Sequence, residues 1–263
     1  MAAALLPNER TRNGPTPADE FSDGTCSRSS RRRTDAMRVS YARQTVDAPN
    51  PIARFAHRRR IAISLRTASG IVAENASVLD YGCGSGLFLR QLGERRPDIR
   101  LLGYDPYFAT FSNEPQHGFE AVDDVEVIAS ATVDLMTALE TLEHLTDAEL
   151  VEFIAHVKRI LAPSGKLLVS VPVIGGPGLV VKEVNRMLLH RRMTDYTPIE
   201  FARAVLLGRP GHRRDVKASH KGFDFKALRR IIGEHLDLER EWLAPLPKVP
   251  WPLNSQHFSI WQR

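Results

Sequence analysis

The segment Val78 to Leu89, V-L-D-Y-G-C-G-S-G-L-F-L, limits the possible folds of this chain more than any other. A short apolar run enters Gly82-x-Gly84-x-Gly86, and a helical pattern begins at once, which reads as strand, glycine turn, helix. Glycine is needed where backbone must come close to a ligand, because any side chain would stand between them. The first N–H groups of the following helix have no partner within it, so they favour a carboxylate or a phosphate. Many α/β proteins carry such a turn, and alone it leaves the ligand open.

Two details narrow the choice. A dinucleotide fingerprint, G-x-G-x-x-G, counted from Gly82 requires glycine at position 87, where Leu87 stands. The acid Asp80 precedes the glycines, and Asp105 closes a second apolar run, Arg100 to Tyr104, 19 residues after Gly86. A carboxylate at that strand tip can accept from both hydroxyls of a ribose. Two acids around a glycine turn suit an adenosine with an amino-acid tail, so the implied ligand is S-adenosylmethionine.

The rest of the chain alternates in the α/β manner. Strands are expected at Ser77–Tyr81, Arg100–Tyr104 and Val133–Leu139, and helices at Leu87–Arg95 and Asp147–Leu161. Pro163-Ser164-Gly165 turns the chain into a strand, Lys166 to Val173, of the kind buried on both faces. A helical insert follows over about 178–207, then a helix from Asp224 to His235 and strands near Leu238–Leu243 and His257–Trp261. Upstream, Pro51 to Ala73 has a helical pattern. It is expected to pack on the first strand, with a flap over the active site as the alternative, and His57 to Arg60 form a solvated basic turn within it. Residues 1–40 have no strand or helix period and read as a disordered basic tail.

The net charge of +5 belongs to the amino-terminal 60 residues. Residues 1–60 hold 12 arginines, no lysine and 6 acids, whereas the other 203 residues hold 24 basic and 25 acidic ones. Basic tails are more often solvated than ligand-bearing, and no aromatics are interleaved here, so nucleic acid is not the expected partner. Two cysteines, Cys26 and Cys83, exclude a disulfide framework. The uncharged stretch Leu167 to Val181 is too short and too broken by proline and glycine to cross a bilayer. A soluble, cytoplasmic protein is expected.

Four strings in this order, V-L-D-Y-G-C-G-S-G, L-L-G-Y-D-P-Y, V-D-L-M-T-A-L-E-T-L-E-H-L and L-A-P-S-G-K-L-L-V-S-V-P, resemble the class I, seven-stranded S-adenosylmethionine-dependent methyltransferases. The resemblance implies a doubly wound, mostly parallel seven-stranded α/β sheet with helices on both faces and a helical lid after the fifth strand. It implies a methyltransferase domain over 41–263, with the lid at 178–209. Carried onto this chain, Asp80, Gly82, Cys83, Gly84 and Gly86 belong to the turn at the methionine end. Asp105 would hold the ribose with Tyr104 and Pro106 beside it, and Leu139 and Glu140 would close over the cofactor. Asp123 and Asp124 are candidates for the adenine amine. Cys83 reads as a small loop residue, and Asp105 has the alternative of a plain turn former before Pro106.

The string Glu140-x-x-Glu143-His144 leaves three readings: packing and capping, a general base at His144, or a divalent metal held by two carboxylates and an imidazole. The last is similar to ubiquinone-pathway O-methyltransferases; no metal is expected here. The acceptor is expected to be a small-molecule, sugar or lipid-linked hydroxyl. The tail half, S-H-K-G-F-D-F-K and L-N-S-Q-H-F, is similar to methyltransferases of bacterial polysaccharide and glycolipid gene clusters, and it makes His220 the second candidate base. Val180, Val184, Met187 and Leu188 form an apolar stripe in the insert with Arg186, Arg191 and Arg192 nearby. It packs a lid or, in the sharper reading, approaches anionic lipid as a peripheral membrane contact. An RNA methyltransferase, a nicotinamide-dependent oxidoreductase and a non-catalytic nucleotide-binding protein are the alternatives.

Overall fold

The computed structural model describes residues 51–106, 118–190, 194, 196–208 and 221–263. The expected tail at 1–40, residues 41–50 and His220 lie outside the described residues.

In chain order the elements are α1 (Pro51–Ile71), β1 (Ser77–Tyr81), α2 (Leu87–Arg95), β2 (Arg100–Tyr104), β3 (Glu120–Val122), β4 (Val133–Leu139), α3 (Asp147–Ile160), β5 (Leu161–Pro172), α4 (Pro177–His190), α5 (Pro198–Leu207), α6 (Phe225–Gly233), β6 (Asp237–Ala244) and β7 (Gln256–Gln262). The strands form one seven-stranded sheet in the order β3-β2-β1-β4-β5-β7-β6. All pairs are parallel except β5–β7 and β6–β7. The chain steps outward from β1 to β3, then returns to the other side of β1 with β4. Open α/β sheets leave a crevice at the carboxyl ends of the strands where the order reverses. Here those ends are Tyr81 and Leu139.

Alternate strand residues feed two apolar clusters. Leu79, Met136, Ala138 and Val169 join Phe153 and Val157 of α3 and Leu228 and Ile232 of α6. Val78, Leu135, Leu168 and Ile260 join Leu65 and Ala68 of α1 and Phe88, Leu89 and Leu92 of α2. A fully buried leucine or phenylalanine stabilises by about 1.5–3 kcal/mol, so each cluster is a large term. Helix α3 starts at a capping box, in which Thr146 accepts from the Glu149 amide and the Glu149 carboxylate accepts from the Thr146 amide.

Three local departures from the sequence pattern have physical causes. Strand β3 is only Glu-Ala-Val, too short to show a period. Val133 pairs with Leu161 and Leu135 with Lys166, so Ala162 to Gly165 bulge out of a strand that already begins at Leu161. In α4, Leu179 is buried while Val184 and Met187 of the apolar stripe are exposed, so those two do not pack the insert down.

Candidate active site

The turn after β1 is held from β2. Gly82 and Cys83 both donate their N–H to the Tyr104 carbonyl, at 2.7 and 3.0 Å. Gly84 donates its N–H to Asp105 Oδ2 at 2.9 Å. Gly86 has φ +73°, and a Cβ there would overlap the Phe119 ring; a Cβ on Gly82, φ +84°, would overlap Thr141 beyond β4. Both positions thus need glycine for conformation and for space. Helix α2 then starts with no side-chain cap, leaving its first amides to other acceptors.

Asp80, at 3% exposure, sits beneath the turn and accepts from Thr137 Oγ1 at 2.6 Å. Burial pushes its carboxyl up to about 7; the Thr137 hydroxyl opposes that push and the nearby Asp105 charge adds to it. Burial, with the charges of Asp80 and Asp105, likewise pushes the Cys83 thiol up, so it stays protonated and a poor nucleophile.

A cleft of about 630 Å³, counting its open mouth, lies over the turn. Asp80, Gly82, Cys83, Leu139 and Glu140 line it from the sheet, and His57, Arg60, Ile61 and Ser64 line it from α1. Glu140 holds φ +56°, a left-handed conformation that costs a non-glycine residue energy. It is fixed there by Arg60 Nη1 donating to Oε2 at 2.9 Å, by Ser170 Oγ donating to Oε1 at 3.4 Å, and by its own amide on the Ser170 carbonyl.

The helix α1 corrects the expectation of a solvated basic turn. Arg58 and Arg59 are exposed, but His57 and Arg60 are half-buried in the wall of the cleft. Arg60 Nη2 donates to His57 Nδ1 at 2.8 Å. A guanidinium only donates, so Nδ1 is the acceptor and the neutral ring carries its proton on Nε2. Burial, and then the Arg60 charge, push the imidazole down to about 4. The second half of α1 packs on the sheet as expected, through Leu65 and Ala68, and His57, Arg60, Ile61 and Ser64 line the cleft.

Of the other expected site residues, Tyr104 turns its ring onto Tyr81 with centroids 4.8 Å apart, Asp105 is half-exposed at the β2 tip, and Pro106 is exposed. His144 ends a 3-10 turn, Leu142–His144, with Nε2 3.9 Å from Oε1 of the buried Glu143. It is not part of the wall of this cleft. Asp124 caps the turn Val125–Val127 by accepting from the Glu126 amide. With the Glu140 carboxylate turned to Arg60, Glu140, Glu143 and His144 do not converge, and no group of three His, Cys, Asp or Glu among the described residues is placed to hold a metal ion. Sequence reasoning missed His57, Ser64 and the roles of Thr137 and Ser170. The positions 57, 60 and 64 share one helical face, and that spacing was the available signal.

No curated protein matches the chain significantly. Among solved structures, it is similar to a TehB-like SAM-dependent methyltransferase from Corynebacterium glutamicum, at 16% identity and a TM-score of 0.50, over 81% of this chain and 100% of that one. It is similar also to the Burkholderia thailandensis 1,6-didemethyltoxoflavin-N1-methyltransferase, solved with 1,6-didemethyltoxoflavin and S-adenosylhomocysteine, at 17% identity and a TM-score of 0.51, over 94% of this chain and 93% of that one. At such identities the likeness concerns the fold. A family model described as a methyltransferase domain matches residues 53–224, about two thirds of the sequence, and the chain belongs to that methyltransferase family.

Proposed function

We propose that the chain transfers a methyl group from S-adenosylmethionine to an oxygen of a small-molecule, sugar or lipid-linked acceptor. The observation that carries this reading is the unit formed by the glycine turn and Asp105: the turn opens at the switch point of the sheet, and the β2 acid is anchored to it through the Gly84 amide. The residues present fit the donor. Gly82 and Gly86 hold the tight turn against Thr141 and Phe119, the cleft opens over that turn, and α2 presents uncapped amides beside it.

In this reading Gly82, Gly84 and Gly86 hold the amino-acid end, Asp105 the ribose, and Leu139 and Glu140 close the site. When bound, the sulfonium supplies an electrophilic methyl group. The protein's share is then alignment of the acceptor, which in well-oriented intramolecular reactions is worth about 7–11 kcal/mol of barrier. His144, with the Glu143 carboxylate beside its ring, would take the acceptor's hydroxyl proton, and His220 is the second candidate. The apolar clusters on alternate strand residues support the doubly wound layering, and α4 with α5 would act as the lid. Exposed Val184, Met187, Ile199, Leu206 and Leu207 on those two helices support an apolar or lipid-linked acceptor met at a membrane surface on the cytoplasmic side. None of the described helices is long and apolar enough to cross a membrane.

Calorimetry on purified protein tests the donor: heat is expected with both S-adenosylmethionine and S-adenosylhomocysteine, and no heat with either defeats the reading. Tritium passing from labelled donor into a lipid or glycan fraction of a cell extract tests the acceptor, and label confined to RNA would replace it.

A further inference from the structure

Helix α5 is apolar on the side that the fold buries and also on the side that it leaves open. Ala204 is buried, and Phe201 and Val205 pack beside it against the core. Ile199, Ala202, Arg203 and Leu206 stand at i, i+3, i+4 and i+7, so they share one stripe, and all four are exposed. Leu207 is exposed next to them, as are Val184 and Met187 of α4. A helix that is apolar all round is ordinarily covered on every side, and an exposed apolar patch marks a surface that meets a partner. The one charge in the stripe is the cation Arg203.

The distribution of charge selects that partner. Residues 177–220, from the start of α4 to the residue before Lys221, hold nine lysines and arginines against four acids. Residues 61–176 and 221–263 together hold 15 against 21. Of the four acids, Glu183 is buried, and Glu200 accepts from the Thr197 amide and from Lys221 Nζ at 2.8 Å. The other basic stretch is residues 1–60. Both stretches join the fold at the carboxyl edge of the sheet, where the cleft opens: α4 follows the end of β5, and His57 and Arg60 of α1 line the cleft. Cations around insertable apolar residues fit an anionic lipid surface. RNA fits less well, because single strands are held on exposed aromatic rings, and the one aromatic residue of α4 and α5, Phe201, is half-buried.

We propose that the insert docks this chain on a bilayer that carries anionic lipid, with the basic amino-terminal segment as a second contact. Ile199, Leu206 and Leu207 enter the headgroup region, and Arg203 meets the lipid phosphates. The inference rests on the lipid-linked acceptor reading above and deepens it by assigning the lipid charge and the residues that meet it. Docked in this way, the carboxyl edge of the sheet faces the bilayer, so a hydroxyl at headgroup level reaches the cleft while its lipid stays in the membrane. One weak anchor gives only reversible binding, whereas two contacts to one surface add avidity.

The test sediments the full chain with vesicles of phosphatidylcholine alone and of phosphatidylcholine mixed with phosphatidylglycerol. The wild type is expected to bind the mixed vesicles ten-fold or more tighter and to leave them at high salt. Each basic residue near such a surface is worth about five-fold in binding. Arg203→Glu changes two charges and is expected to weaken binding more than ten-fold; the triple variant Arg31→Gln/Arg32→Gln/Arg33→Gln is expected to weaken it at least as much. Arg203 is exposed, so Arg203→Glu is expected to melt as the wild type does and to bind S-adenosylhomocysteine with unchanged affinity. Equal binding to both kinds of vesicle, binding to neither, or unchanged binding by Arg203→Glu overturns the dock. Unchanged binding by the triple variant overturns the amino-terminal contact, and tighter binding to single-stranded oligouridine than to the mixed vesicles replaces lipid with nucleic acid. The acceptor reading fails separately: vesicle binding as expected, with label from S-adenosylmethionine entering only water-soluble products of an extract, leaves the dock standing and removes the lipid-linked acceptor.

Discussion

The Gly84 amide and Asp105 Oδ2, 21 residues apart in sequence and 2.9 Å apart in space, make the turn after β1 and the tip of β2 one rigid unit. An amide donating to a carboxylate is worth about 1.5–3 kcal/mol when sheltered and less at a half-exposed site such as this. Asp105→Ala is therefore expected to cost about 1 kcal/mol in denaturant melts and to weaken S-adenosylhomocysteine more than ten-fold. Asp105→Asn keeps an oxygen acceptor and should stay within about 0.5 kcal/mol of the wild type. An Asp105→Ala protein that binds as tightly as the wild type would remove the ribose role.

Glycines of the same chain should respond to alanine with opposite signs. At Gly86 the methyl group meets the Phe119 ring and φ is +73°, so Gly86→Ala is expected to destabilise by about 1–3 kcal/mol. Gly70 lies in the last turn of α1 with open space around it, and Gly70→Ala is expected to stabilise by up to about 1 kcal/mol. Melting both variants against the wild type checks the pair; a neutral Gly86→Ala would show that the Phe119 ring is free to move aside.

The strands at Val78, Leu101 and Leu135 were legible because buried parallel strands are short continuous apolar runs between turn residues. The glycine turn was legible because glycine spacing reports backbone constraints directly. What surrounds the turn was harder to see. His57 and Arg60 sit in a run of four basic residues that reads as solvated, and only the helical phase separates them from the exposed Arg58 and Arg59. Thr137 and Ser170 are polar residues inside apolar strands, and their partners Asp80 and Glu140 are 57 and 30 residues away. No local pattern encodes pairings at that range. The same holds for the left-handed Glu140, whose conformation is imposed by Arg60 and Ser170 from other elements.

Helix α5 ends in two apolar residues that the fold does not use. Leu206 and Leu207 are 79% and 61% exposed, so replacing both with aspartate is expected to change stability by less than about 0.5 kcal/mol. If the acceptor is lipid-linked, the same change should abolish co-sedimentation with phosphatidylglycerol vesicles, because it removes insertable surface and adds negative charge. Unchanged sedimentation would detach these residues from any lipid surface.

Asp80 and His57 face the same cleft and bend the pH dependence of stability in opposite directions. The Asp80 carboxyl lies at about 7 in the fold against an ordinary 3.8, so its favourable contribution is whole below about pH 4 and is lost as pH rises through 7. The His57 ring lies at about 4 against an ordinary 6.5, so its contribution is whole above pH 6.5 and is lost as pH falls through 4. Between about pH 4 and 6.5 the two slopes oppose. Replacing one residue at a time should uncover the other. Relative to the wild type, Asp80→Asn is expected to gain stability steadily from pH 4 to 7 and to level off above, as it no longer deprotonates in a buried site. His57→Phe is expected to lose relative stability from pH 4 to 6.5 and then level off. Taking variant minus wild type at each pH cancels the titration of the other groups, so urea midpoints from pH 4 to 8 are sufficient. Two parallel curves with no pH-dependent gap would show that neither group is desolvated as its place in the cleft requires.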